Sequence, residues 1–169
     1  MKRLLSVVAV IVALQFGMSQ KAAAQKGTDY TNAIGMRIDL GSDYGTYVGV
    51  SGKHFFDEHN GGEAQVLFGN HTTMISLEYQ YHAAIPNAAG LKWYAGFGPG
   101  FAFAKQYYHY YDYYSEGGTD ILLRPSVGLD YKVNNVPLNF SFDWRPAFVI
   151  THGTDFNAAR FGLAFRYAF

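Results

Sequence analysis

RFGLAFRYAF, residues 160–169, sets Phe161, Leu163, Phe165, Tyr167 and Phe169 at alternate positions, with Arg160, Gly162, Ala164, Arg166 and Ala168 between them. Successive side chains of a β-strand point to opposite faces, so this stretch is a strand with one face large and apolar and the other charged or small. A helix would mix the two sets on every side. Seven earlier stretches follow the same rule. About Ala33–Leu40 opposes Ile34, Met36, Ile38 and Leu40 to Gly35, Arg37 and Asp39, and about Thr46–Lys53 opposes Val48 and Val50 to Tyr47, Gly49, Ser51 and Lys53. Glu63–Gly69 sets Ala64, Val66 and Phe68 against Glu63 and Gln65; Thr73–His82 sets Ile75, Leu77, Tyr79 and Tyr81 against Ser76, Glu78, Gln80 and His82. The fifth has Leu91, Trp93, Ala95, Phe97 and Phe101 against Lys92, Tyr94, Gly96, Gly98 and Gly100. The sixth has Leu123, Val127, Leu129 and Tyr131 against Arg124, Ser126, Gly128, Asp130 and Lys132; the seventh has Leu138, Phe140, Phe142 and Trp144 against Asn139, Ser141, Asp143 and Arg145.

The charges decide how these strands are used. Arg37, Lys53, Lys92, Arg124, Lys132, Arg145, Arg160 and Arg166, with Asp39, Glu63, Glu78, Asp130 and Asp143, all fall on the small-residue face and none on the apolar one. A cation facing lipid near mid-bilayer costs about 2–4 kcal/mol, so a charge-free face is what contact with hydrocarbon demands. A water-soluble barrel with an apolar core shows the same alternation. Two features argue against it. Gly35, Gly49, Gly96, Gly98, Gly100, Gly128 and Gly162 crowd the polar face, which suits the narrow interior of an eight-stranded barrel and serves no purpose on a solvated surface. Tyr79, Tyr81, Trp93, Tyr131, Trp144 and Tyr167 stand near segment ends on the apolar face, where interfacial girdles lie. An even number of strands near spanning length closes the edges that lipid forbids. The fold expected is all-β: an eight-stranded antiparallel transmembrane up-and-down β-barrel. Connections near 41–45, 70–72, 104–120 and 147–156 then lie outside, and those near 54–62, 83–90 and 133–135 lie at the end that holds both termini.

Residues 1–24 read as a signal peptide: Lys2 and Arg3 precede an apolar run from Leu4 to Phe16, and Ala22, Ala23 and Ala24 supply small residues for cleavage. Residues 25–169 are then the barrel domain. The full chain balances 13 Lys and Arg against 13 Asp and Glu, and removing Lys2, Arg3 and Lys21 leaves it acidic, which speaks against nucleic acid as a partner. Cysteine is absent, so no disulfide, thiolate metal site or lipid-modified N-terminal cysteine is available.

The signal peptide, the eight alternating segments, the charged polar face and the aromatic ending at Phe169 resemble the small outer-membrane β-barrels of the OmpA/OmpX type. That resemblance implies the Gram-negative outer membrane, contact with its lipid and lipopolysaccharide, and reading of the C-terminal strand by the outer-membrane assembly machinery. It leaves the activity open, since one fold hosts many functions.

Four stretches are candidate sites. Residues 106–115, QYYHYYDYYS, place Tyr107, Tyr108, His109, Tyr110, Tyr111, Tyr113 and Tyr114 on the longest external connection. Tyrosine gives rigid amphipathic contact area at small entropic cost, which suits an external protein or surface ligand; strand pairing above the membrane is the plainer reading. Pro99, Pro125 and Pro146 interrupt segments five, six and seven. They mark strand ends or bulges, or else loosened pairing that resembles the lateral openings of the outer-membrane palmitoyltransferase. His71, Ser76 and Glu78 are the residue types of a hydrolase triad at a spacing that matches no such pattern, and His54, Asp57, Glu58 and His59 are metal-ligand types on what reads as a solvated turn. No cofactor is expected. The function expected is that of a non-enzymatic barrel serving envelope integrity or surface adhesion through its external loops; a lipid-modifying acyltransferase or deacylase and a small porin-like channel are the alternatives.

Overall fold

The computed structural model describes residues 30–41, 45–104, 107–108, 114–115, 118–151 and 155–169; the proposed signal peptide lies outside them. Eight antiparallel strands form the wall. β1 (Asn32–Gly41), β2 (Tyr47–Phe55), β3 (Asn60–Phe68) and β4 (Thr72–Ala84) are continuous. The other four each come in two parts: β5 (Leu91–Phe97 and Pro99–Ala104), β6 (Thr119–Leu123 and Ser126–Lys132), β7 (Leu138–Trp144 and Ala147–Val149) and β8 (Asp155–Asn157 and Arg160–Ala168). Each strand pairs with its sequence neighbours, and β1 returns to β8 from Ala33↔Ala168 to Gly41↔Arg160, which closes the cylinder. The backbone of Asn32 exchanges both hydrogen bonds with Phe169, each 2.8 Å, so the two ends of the barrel chain are tied at one rim.

Burial runs opposite to that of a soluble protein. Arg37, Arg124, Arg145 and Arg166 are 0% exposed, whereas Met36, Phe142 and Tyr167 are 59%, 51% and 54% exposed. The second part of β8 alternates without fault: Arg160, Gly162, Ala164, Arg166 and Ala168 are buried inside and Phe161, Leu163, Phe165 and Tyr167 stand outside. An apolar belt around the wall with Arg37, Glu63, Glu78, Asp143, Arg145 and Arg166 buried inside is stable only in hydrocarbon, because water would hydrate the arginines and shed the belt. The barrel is transmembrane.

The strands outrun the expected connections. Thr119–Leu123 occupies the end of the stretch read as a 104–120 loop, and Ala147–Val149 pairs with Asp155–Asn157 within 147–156. The alternation there is short and mixed with polar residues, so its period is lost in the sequence. Each proline stands at a strand end or bulge, as expected. Pro99 opens the second part of β5, and Pro125 and Pro146 lie in breaks inside β6 and β7 whose register continues on both sides. Between β7 and β8 the register shifts by one, from Trp144↔Phe161 to Ala147↔Asn157, which is a bulge. At the bulge the Ala158 carbonyl accepts from the Arg160 amide at 3.0 Å and from the indole Nε1 of Trp144 at 2.6 Å.

Phe142 stands on the belt between Leu129 of β6 and Leu163 of β8. Phe142→Arg is expected to cost about 2–4 kcal/mol in urea unfolding from phospholipid vesicles, and Phe142→Leu less than about 1.5 kcal/mol. Equal stability of the two variants would show that this face does not meet lipid.

Candidate functional site

Among the described residues the lumen gathers the buried charged and polar side chains. At the end that carries the termini, Lys53 Nζ lies 2.8 Å from Asp130 Oδ2, Tyr30 OH donates to both Asp130 oxygens at 3.0 Å, and Asn139 Nδ2 donates to Asp130 Oδ1 at 2.7 Å. One layer above, Glu63 accepts from Arg166, from Arg37 Nη1 at 3.1 Å and from Gln80 Nε2 at 2.9 Å. Arg166 also donates to Ser51, Asn139 and Ser141, so one guanidinium joins β8 to β2, β3 and β7. In the middle, Asp143 accepts from Arg37, Arg145 and Tyr94 OH, and Arg145 Nη1 reaches Glu78 Oε1 at 2.7 Å. Toward the other end Arg124 pairs with Asp39, whose second oxygen lies 3.5 Å from Arg160 Nη2.

Above the last ion pair the lumen changes character. Tyr47, Leu67, Met74, Leu122, Ala147 and Val149 are buried against one another, with Ala102 beside them. These positions sit on the inward face of their strands, where the lower layers carry charge. The end of the lumen away from the chain termini is therefore capped by an apolar cluster, a feature that the alternating pattern does contain at Leu67, Met74 and Leu122 but that is masked by the stronger apolar residues facing lipid.

The remaining candidates can be placed. Tyr107–Tyr108 and Tyr114–Ser115 form a two-stranded ribbon, with Tyr107↔Ser115 and Tyr108↔Tyr114; His109, Tyr110, Tyr111 and Tyr113 lie outside the described residues. The ribbon agrees with strand pairing for part of this segment. The residues proposed for a triad are not assembled: Ser76 Oγ has no hydrogen-bond partner among the described residues, Glu78 belongs to the Arg145 network, and His71 occupies a turn at φ 62°. Asp57 folds its own turn, accepting from the amides of His59 and Asn60 at 2.8 Å and from the Asn60 side chain. Those hydrogen bonds, the Asn60 side chain foremost, hold its carboxyl below the usual range. His54 bonds Asn32 and His59 faces the His82 carbonyl, so among the described residues no three metal-ligand side chains converge. Gly98, between the two parts of β5, exchanges backbone bonds of 3.2 and 2.9 Å with Arg124, so this stretch is continuous wall.

No family model matches the sequence, and no curated protein does. Among solved structures, the N-terminal β-barrel domain of Pseudomonas aeruginosa OprF is similar with a TM-score of 0.62 at 15% identity, over 82% of this chain and 100% of that one. Neisserial surface protein A is similar at 17% identity over 83% of this chain and 96% of that one, with a TM-score of 0.46. The likeness to the OprF domain is one of fold: both are closed eight-stranded antiparallel barrels.

Proposed function

We propose that the chain is a non-enzymatic barrel protein of a Gram-negative outer membrane, serving envelope integrity or contact with an external ligand through the strands and connections that rise above the lipid. The observation that carries this reading is the filled lumen. Salt bridges that cross-link β1, β3, β4, β7 and β8 occupy its middle, and the apolar cluster caps its outer end. Among the described residues such an interior presents a solute with a layer of ion pairs and then a layer of apolar side chains, and eight strands leave just enough room for side chains. What remains available for interaction is the exterior. Contact with lipopolysaccharide, and recognition of β8 and its terminal Phe169 by the assembly machinery, belong to the same proposal.

Single barrels in planar bilayers are expected to show no sustained high conductance; stable large openings would move the reading to a channel. Replacing Tyr107, Tyr108, Tyr110, Tyr111, Tyr113 and Tyr114 with Ser should leave assembly and heat resistance intact, because the membrane ladder does not pass through the connection. Attachment of cells displaying the barrel to protein-coated surfaces should fall at least about tenfold, as loss of aromatic anchors commonly costs more than 1.4 kcal/mol. Unchanged attachment to a surface that the parent barrel binds would place the contact elsewhere on the exterior.

A further inference from the structure

The apolar face is not equally tall around the wall. From Ile38 the ladder rungs lead one way through Val48 and Phe68 to Thr73, and the other way through Leu163, Phe142, Leu129 and Trp93 to Ala83. The two arrivals on β4 are ten residues apart. With eight strands about 4.8 Å apart and about 3.3 Å per residue, that offset tilts the strands by about 40°. One residue along a strand then climbs about 2.5 Å, and one rung from β1 toward β8 climbs about 3 Å. Among the described residues, the uppermost exposed apolar side chains of β1, β2 and β3 are Leu40, Val48 and Phe68, about 3–6 Å above Ile38. Those at the tops of β5 to β8 are Phe103, Ile121, Ile150 and Phe156, about 11–13 Å above it.

Column length shows the same asymmetry. The outward positions are apolar from Ile121 to Tyr131 on β6 and from Phe140 to Ile150 on β7, each about 25 Å, the height of a barrel's lipid band. On β2 the outward column is Val48, Val50 and Gly52, about 10 Å, closed by Thr46 above and by His54 below, which bonds Asn32 at 2.8 Å. On β3 it runs from Phe68 to Gly62, about 15 Å, closed by Asn70 and Asn60. Its lower part carries little bulk: Gly52 pairs with Ala64, and a groove of about 160 Å³ opens over them between Ile34 and Leu77. A hydrophobic stretch shorter than the surrounding hydrocarbon is met by a thinned bilayer or hidden by association. Area decides between the two. A contact along two strands is about 10 Å wide and about 15 Å tall, far below the about 800 Å² per partner of a stable interface. Lipid is the occupant that this face fits.

We propose that the barrel thins the bilayer on one side, so that the hydrocarbon against β2 and β3 is about 10 Å thinner than that against β6 and β7. The partner is membrane lipid whose head groups are drawn inward to Thr46 and Asn70 at one end and to His54 and Asn60 at the other. The inference rests on the lipid-facing belt and not on the surface role proposed above.

The chain holds no cysteine, so a single introduced cysteine carries a single nitroxide. Phe68→Cys on β3 and Leu123→Cys on β6 lie within about 1 Å of the same height, as do Gly52→Cys on β2 and Phe142→Cys on β7. All four face outward: Phe68, Leu123 and Phe142 are exposed, and a Cβ at Gly52 meets nothing within 4 Å. Each labelled barrel is reconstituted in phosphatidylcholine vesicles, and depth is read from the ratio of collision rates with oxygen and with a water-soluble nickel chelate. In each pair the β2 or β3 label should read about 5 Å shallower than its counterpart, because Phe68 and Gly52 each stand two residues from a polar outward position and Leu123 and Phe142 at least four. Equal depths within either pair mean a bilayer of one thickness and overturn the proposal. Labels at residues 68 and 52 that are shielded from both reagents, with spin–spin broadening that grows with the protein-to-lipid ratio, mean that a second copy covers the face, and also overturn it. A second measurement needs no label: Thr46→Leu/His54→Leu lengthens the β2 column, and the phosphatidylcholine chain length that gives the highest thermal midpoint should shift to longer chains. An unchanged optimum counts against the proposal as decisively as equal depths.

Discussion

Everything in this barrel follows from the requirement that a backbone crossing hydrocarbon pair all its amides and carbonyls within the wall, since an unmatched group there costs several kcal/mol. The ladder between β1 and β8 is where that requirement is met or fails. With Ala33 to Gly41 joined to Ala168 to Arg160, no strand edge remains along the continuous half of the cylinder. Without that closure the apolar belt would bring two open edges into lipid, and the charged interior would lose its enclosure at the same time.

Closure in turn sets what can fill the inside. The interior of an eight-stranded barrel is narrow, and long charged side chains fit only where a neighbour is small. Gly162 shows this directly: a Cβ there would fall on the Arg37 guanidinium and on Asp143 Oδ1, the two partners of a central ion pair. The glycine is what lets Arg37 cross from β1 to β7. Burying such pairs adds little net stability by itself, because desolvation offsets the Coulomb gain. Their effect is on specificity. A one-residue slip of any strand would turn its charges into lipid and leave the opposite charges unpaired, so the network and the belt together select one register.

The same two signals explain how much could be read from the sequence. The alternation in residues 160–169 and its seven counterparts gave the strand count, the inward face of Arg37, Glu63, Asp143 and Arg166, and the outward face of Phe142 and Tyr167, because a period of two is maintained wherever lipid and charge oppose each other. Above the belt that contrast fades. Thr119–Leu123 and Asp155–Asn157 fold as strands although their alternation is weak, since the pairing is extended from neighbours already in place. The particular partners of each charge were not legible: Arg166 meets Glu63 across 103 positions of sequence, and alternation fixes the face but not the layer. The opposition of Pro125 and Pro146 was equally hidden, because it depends on the register between two strands and not on either strand alone.

The breaks give the two halves of the wall different characters. β1 to β4 run unbroken, while β5 to β8 each change course, at Gly98, Arg124–Pro125, Arg145–Pro146 and Ala158–Ala159, all close to one level. That level is also where the lumen passes from ion pairs to the apolar cap. The coincidence has a physical basis. Below it, charged side chains bridge several strands and hold the wall from within, so backbone pairing and side-chain pairing reinforce each other. Above it, contacts across the lumen are apolar and non-directional, and they tolerate shifts in strand position that an arginine fork would resist. The prolines of β6 and β7 stand at that boundary, each directly after an arginine of the ion-pair network, Arg124 and Arg145.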